Sequence, residues 1–193
     1  GSHRIRAIVA GGTVRSLAGD LVSSAPFTGS FANGLAGVAR FNSPLDVANF
    51  GGVVFVADSA NKCVRKVLAA DGDTTTHAGT CAVDAAGGTD GTADGTRFHL
   101  PTAIVSDGAG ILFVADTDGH AIRKIDVSGA VTTVAGTGAA GSADLNVIEA
   151  SFTSPSAVSY DLANNHLYIV EPAGRVRVLD PATGWVTTVK TGL

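Results

Sequence analysis

Short apolar runs alternate with glycine-rich polar stretches along this chain. The runs "VVFVAD", "ILFVAD" and "HLYIVE" are apolar at successive positions. That pattern fits strands covered on both faces rather than half-exposed ones. Each is followed by "CVRKV", "AIRKI" or "RVRVL", then by a turn ("ADGD", "VSGA", "ATGW"), then by a threonine-rich run such as "TTTHAG" or "VTTVAG". Glycine in the turn is hairpin chemistry, and β-branched residues favour strands. No helical spacing of apolar residues competes. The pattern predicts short antiparallel strands throughout.

Stacking the sequence on itself exposes a repeat. Phe41, Phe98 and Phe152 stand 57 and 54 residues apart, and each lies three residues before a proline: Pro44, Pro101 or Pro155. The opening stretch "RIRAIVAGGTVRSLAG" matches only the second half of the unit, "AIRKIDVSGAVTTVAG". Four strands per unit predict an all-β fold, a β-propeller of four-stranded antiparallel blades. Residues 1–3 read as a tag remnant and 4–19 as a half blade holding the last two strands. Residues 20–80 read as a blade with a long lead-in loop, and 81–137 and 138–193 as further blades. About three and a half blades fall short of the usual closed ring, so the chain is expected to be part of a larger ring of about six. Open edges of that kind invite self-association.

Composition narrows the classes. Hydrophobic residues make up 45% and charged residues 16%, enough for a packed core. No apolar run is long enough to span a bilayer. Membrane contact is expected only through a segment outside this sequence. The net charge of −4 suits nucleic acid poorly, because a phosphate backbone calls for a basic face.

Several constellations are candidates for chemistry. Asp58 and Arg65, Asp116 and Arg123, and Glu171 and Arg177 form one acid and one arginine per unit, on neighbouring strands; Arg6 holds the arginine position of the half blade. Such pairs suit bidentate contact, and their recurrence in every unit favours a structural role. His77, His99, His120 and His166 fall at four different places in the repeat, so they do not converge as metal ligands must. No cofactor is expected. Asn33, Asp90 and Asp144 each lie eight residues before an anchor phenylalanine, among glycines. Asp90 and Asp94 in "DGTADG" lack the alternating ligands of a calcium loop, and turn formation suits them better. All four, with Phe27 and Phe31 of the insertion "DLVSSAPFTGSFANG", are candidate interaction-loop residues. Nucleophile, zinc-protease and phosphate-loop motifs are missing.

The two cysteines, Cys63 and Cys81, bracket one predicted hairpin. If that hairpin is centred on Gly72, they face each other across its strands, at a separation a disulfide can bridge. The next unit has Ala121 and Gly138 at these places, so both cysteines depart from the repeat together. A bridge implies an oxidising compartment.

The phrase "LFVAD", the "IRKI" strand, "VTTVAGTG" and the loop "DGTADGTRFHLP" resemble the NHL-repeat propeller family over nearly the whole chain. The third unit departs most, with Glu171 in place of aspartate and Lys190 in place of alanine. The resemblance implies a propeller and leaves function open. Trypanosomatid flagellum-attachment glycoproteins carry propellers of broadly this look. The expected function is a non-catalytic protein-interaction or adhesion module, outside the cell or on its surface, with another protein as partner. A metal-dependent propeller enzyme and a cytoplasmic RNA-binding module are the alternatives.

Overall fold

A computed structural model describes residues 3–19, 29–82 and 87–190. Its strands run β1 (Ile5–Ile8), β2 (Val14–Ala18), β3 (Pro44–Phe50), β4 (Val53–Asp58), β5 (Cys63–Leu68), β6 (Thr74–Ala78) and β7 (Pro101–Ser106). They continue as β8 (Leu112–Asp116), β9 (Ala121–Ile125), β10 (Val131–Ala135), β11 (Ala157–Asp161), β12 (His166–Glu171), β13 (Arg175–Asp180) and β14 (Trp185–Lys190). A two-stranded sheet, β1–β2, precedes three four-stranded sheets: β3 to β6, β7 to β10 and β11 to β14. Pairing is antiparallel and sequential, and the first strands β3, β7 and β11 are neighbours from sheet to sheet. These are consecutive blades of a β-propeller.

The core lies between blades, one layer per interface. Phe41 packs with Ile5, Leu17 and Ala18 of the half blade. Phe98 joins Phe55, Ala57 and Val64, and Phe152 joins Phe113, Ala115 and Ile122. Each anchor phenylalanine is thus buried against the preceding blade, a burial worth roughly 1.5–3 kcal/mol. Polar ties repeat beside these layers. Ser59 Oγ donates to the Pro101 carbonyl at 2.6 Å, and Thr117 Oγ donates to that of Pro155 at 2.7 Å.

The lead-in loop of each blade joins it to the blade before. Gly34 exchanges two backbone hydrogen bonds with Thr74, both 2.9 Å, while Gly19 donates to Ala36 at 3.0 Å. Gly91 with Val131, and Gly79 with Ala93, repeat the arrangement one blade on. Close approach of the backbones follows. A β-carbon on Gly72 would lie 2.0 Å from the Leu17 carbonyl oxygen, whereas one on Gly51 would meet nothing. Both glycines have positive φ. Gly51→Ala therefore carries only the left-handed strain, about 1 kcal/mol. Gly72→Ala is expected to cost at least about 1 kcal/mol more by overpacking, read as a lower urea midpoint.

The repeat also reaches one residue further back than expected. His3 and His120 share a left-handed backbone, with φ of 44° and 48°. His3 Nδ1 accepts from the Ser43 N–H at 2.8 Å, and His120 Nδ1 accepts from that of Ser154 at 3.1 Å. His3 thus packs at the position in the half blade that His120 holds two blades on.

Candidate functional site

The charged residues of the repeat gather at one place in each blade. Strand β4 ends at Asp58 and β5 carries Arg65; a short 3-10 turn, Ser59–Asn61, joins them. Arg65 Nη1 donates to Asp58 Oδ2 at 3.0 Å and to the Arg40 carbonyl at 2.9 Å. Its Nη2 reaches the Ala32 carbonyl at 2.8 Å and Asn33 Oδ1 at 2.7 Å. The carboxylate of Asp58 also accepts from the Asn42 N–H and from Asn61 Nδ2. Two rings lie on the guanidinium, Phe31 at 4.7 Å and Phe41 at 5.2 Å.

The next two blades rebuild this node. Arg123 donates to Asp116 at 3.2 Å, Asp90 at 2.8 Å, and the carbonyls of Thr89 and Arg97. Arg177 donates to Glu171 at 3.2 Å, Asp144 at 3.0 Å, and the carbonyls of Ala143 and Ser151. Phe98 and Phe152 stack on these two guanidinium groups. All three arginines and their strand-end acids are at most 1% exposed. In the third node the turn is one residue shorter and glutamate replaces aspartate. The longer side chain still spans from the Thr153 N–H to Arg177. Arg6 sits at the matching step of β1, next to the same register shift, and is exposed.

Burial pushes the Asp58 and Asp116 carboxyls up, against the pull of their hydrogen bonds and arginines. Partial burial also works to raise Asp90 and Asp144. There the hydrogen bonds from Thr133 or Thr188, with Arg123 or Arg177, prevail and hold both carboxyls below the usual range.

The loop residues are placed differently from the sequence expectation. Asn33, Asp90 and Asp144 are acceptors for the arginines, and Asp90 and Asp144 also cap the N–H and hydroxyl of Thr133 and Thr188. Their side chains are committed to the blade, because the loop returns across its own fourth strand. Phe31 covers Arg65 and is 38% exposed. Asp94 is exposed, and its carbonyl accepts from Thr80 Oγ1 at 2.8 Å. Phe27 lies outside the described residues. Among the described residues of the lead-in loops, the large apolar side chains more than half exposed are Leu35, Val38 and Ile148, at 66%, 56% and 80%.

Cys63 and Cys81 form a disulfide with their Cα atoms 5.1 Å apart. They are not a cross-strand pair. A register shift between Val64 and Arg65 moves the pairing, and β6 ends at Ala78. Gly79 lies against Cys63, where a β-carbon would come within 3.2 Å of it, and Cys81 returns from the loop beyond.

The histidines remain apart. His77 lies tilted against Phe55 with ring centroids 4.8 Å apart, His99 lies by Asp116, His120 binds Ser154, and His166 opens β12. Among the described residues, no three His, Cys, Asp or Glu side chains are grouped as metal ligands would be. Burial, with Lys66 nearby, pushes His77 down from 6.5 despite Asp126. The stability held by neutral His77 is complete above 6.5 and is lost as pH falls through its lowered folded value. Stability is expected to slope downward as pH falls below 6.5, and His77→Gln to flatten that slope, as read by urea unfolding at each pH.

No family model matches the chain, and no curated protein does. Solved structures do. A nutrient-binding protein from Bacteroides thetaiotaomicron aligns with a TM-score of 0.62 at 17% identity, over 87% of this chain and 40% of its own. Virginiamycin B lyase from Staphylococcus aureus aligns with a TM-score of 0.61 at 15% identity, over 99% and 50%. The structure of a nidogen–laminin complex aligns with a TM-score of 0.59 at 16% identity, over 94% and 54%. The chain therefore spans about half or less of these neighbours. At such identities the likeness establishes the propeller fold.

Proposed function

We propose that this chain is part of a non-catalytic, NHL-type propeller that binds another protein, outside the cell or on its surface. The observation that carries the reading is the commitment of the repeat's polar groups. Each strand-end acid and each buried arginine is consumed in fixing a lead-in loop to its blade. Loops held in this way form a preorganised surface, and preorganisation lowers the cost of binding. Leu35, Val38 and Ile148 project from them as apolar contacts. The disulfide supports an oxidising compartment. Two of the neighbours point the same way: one is described as nutrient-binding, and nidogen appears in complex with laminin.

The test is photo-crosslinking from positions 35 and 148 on intact source cells, followed by reconstitution with the purified captured protein. Saturable binding that is lost in Leu35→Ser/Val38→Ser/Ile148→Ser supports the reading. Binding indifferent to these changes, or metal-dependent turnover by the full-length protein, would overturn it. Salt-sensitive binding of RNA would overturn it in favour of a nucleic-acid module.

A further inference from the structure

One asparagine stands where the other blades have an acid. Asn33, Asp90 and Asp144 hold the same place in their lead-in loops. Asp90 gives one oxygen to Arg123 Nη2 and the other to the Thr133 N–H at 3.0 Å. Asp144 divides itself in the same way between Arg177 and the Thr188 N–H. In the first blade Arg65 Nη2 and the Thr76 hydroxyl both donate to Asn33 Oδ1, at 2.7 and 3.4 Å. The other side-chain atom of Asn33 is Nδ2. It is a donor, and so is the Thr76 N–H, which corresponds to those of Thr133 and Thr188. Turning the carboxamide over only moves the mismatch to Arg65. A carboxylate accepts on both atoms, a carboxamide on one.

The next residue is Gly34. With no side chain to screen it, the glycine nitrogen can approach the preceding carboxamide closely. In the folded chain that path is shut. The Gly34 N–H donates to the Thr74 carbonyl, and the Gly34 carbonyl accepts from the Thr74 N–H, both at 2.9 Å. Gly91 makes the same two bonds with Val131, at 3.0 and 2.8 Å, directly after Asp90. An aspartate–glycine form of this loop is therefore already built in the next blade.

We propose that Asn33 is a self-processing site: when the lead-in loop lifts from its blade, the Asn33–Gly34 step deamidates, and the aspartate formed fixes the loop more firmly than asparagine did. The Gly34 nitrogen attacks Asn33 Cγ, and the new C–N bond closes a five-membered imide. The proton of that nitrogen passes to Nδ2, the Cγ–Nδ2 bond breaks, and ammonia leaves. One water then opens the ring. Addition at Cγ restores the peptide bond and leaves an aspartate side chain. Addition at the main-chain carbonyl leaves isoaspartate, whose extra main-chain carbon carries Gly34 out of register with Thr74. Only the first product remakes the loop. Water is the sole co-reactant, and nothing is oxidised or reduced. The Arg65 node thereby gains the second acid that the nodes of Arg123 and Arg177 already have.

Incubation of the intact chain in mildly alkaline buffer tests this. Peptide mapping separates asparagine, aspartate and isoaspartate at position 33, and amide exchange of Gly34 is followed in the same sample. Cyclisation needs the loop open, as exchange of the Gly34 amide does. Conversion should therefore be slower than in a peptide of residues 29–38 by the factor that protects Gly34 from exchange. Urea below the midpoint should speed both together. The other asparagines, none followed by glycine, are the internal control and should convert more slowly. Asn33→Gln, which closes a ring poorly, should abolish conversion. Asn33→Asp should raise the urea midpoint above that of the wild type. Material carrying isoaspartate should lose the exchange protection of Gly34 and Thr74 that the aspartate form keeps. Conversion faster than Gly34 exchange allows, no conversion although Gly34 exchanges, an Asn33→Asp midpoint at or below that of the wild type, or equal protection in both products would overturn the proposal.

Discussion

Arg123→Met is expected to cost about 3–5 kcal/mol of folding stability, read as a large drop in urea midpoint. The side chain is 1% exposed and serves Asp116, Asp90 and the carbonyls of Thr89 and Arg97. Methionine can fill the volume but donates nothing. It leaves a buried carboxylate uncompensated and loosens the lead-in loop. Lysine is no conservative replacement, since one ammonium cannot cover a planar fork of acceptors. The loss has a pH signature. Without Arg123, the Asp116 carboxyl, already raised by burial, rises further. A carboxyl raised in the folded state stabilises when protonated, and that contribution is lost as pH rises through the folded pKa. The deficit of the variant should therefore shrink as pH falls toward the ordinary carboxylate range. Arg6 is the internal control: it occupies the same step of the repeat but is exposed, so Arg6→Met should change stability by less than about 0.5 kcal/mol.

Removing the disulfide is the second large effect. The bridge closes a sequence separation of 18 residues. Loop-closure entropy alone puts its contribution at about 3 kcal/mol. Cys63→Ser/Cys81→Ser should lower the urea midpoint accordingly, and reducing agent should destabilise the wild type but not the variant. Cys63 is fully buried beside the Phe98 layer, so reduction should loosen the contact between its blade and the next. An unchanged midpoint on reduction would show that the bridge contributes nothing to the fold.

Strand positions, blade order and the pairing of acid with arginine were legible because each depends on residues close in sequence. "VVFVAD" and "CVRKV" are joined by a short turn, so Asp58 and Arg65 must meet if the hairpin forms. The partners of those arginines from the lead-in loops were not legible. Asn33 and Arg65 are 32 residues apart, and Asp90 and Arg123 are 33 apart. Their meeting depends on the loop crossing back over the fourth strand. Constant spacing from the anchor phenylalanine was the available signal, and it was equally compatible with turn formation. The disulfide was read correctly as a pair and incorrectly as a register, since a shift between Val64 and Arg65 cannot be seen in a hairpin assumed regular.

The central claim is that the acid–arginine groups hold the blades rather than a ligand. A double-mutant cycle in urea tests it most directly, with Asp116→Leu, Arg123→Met and the double variant. The account predicts that each single change destabilises strongly. It also predicts a double variant more stable than the sum of the losses by at least about 1 kcal/mol, because a buried charge is no longer stranded. Single variants with the wild-type urea midpoint would contradict the account.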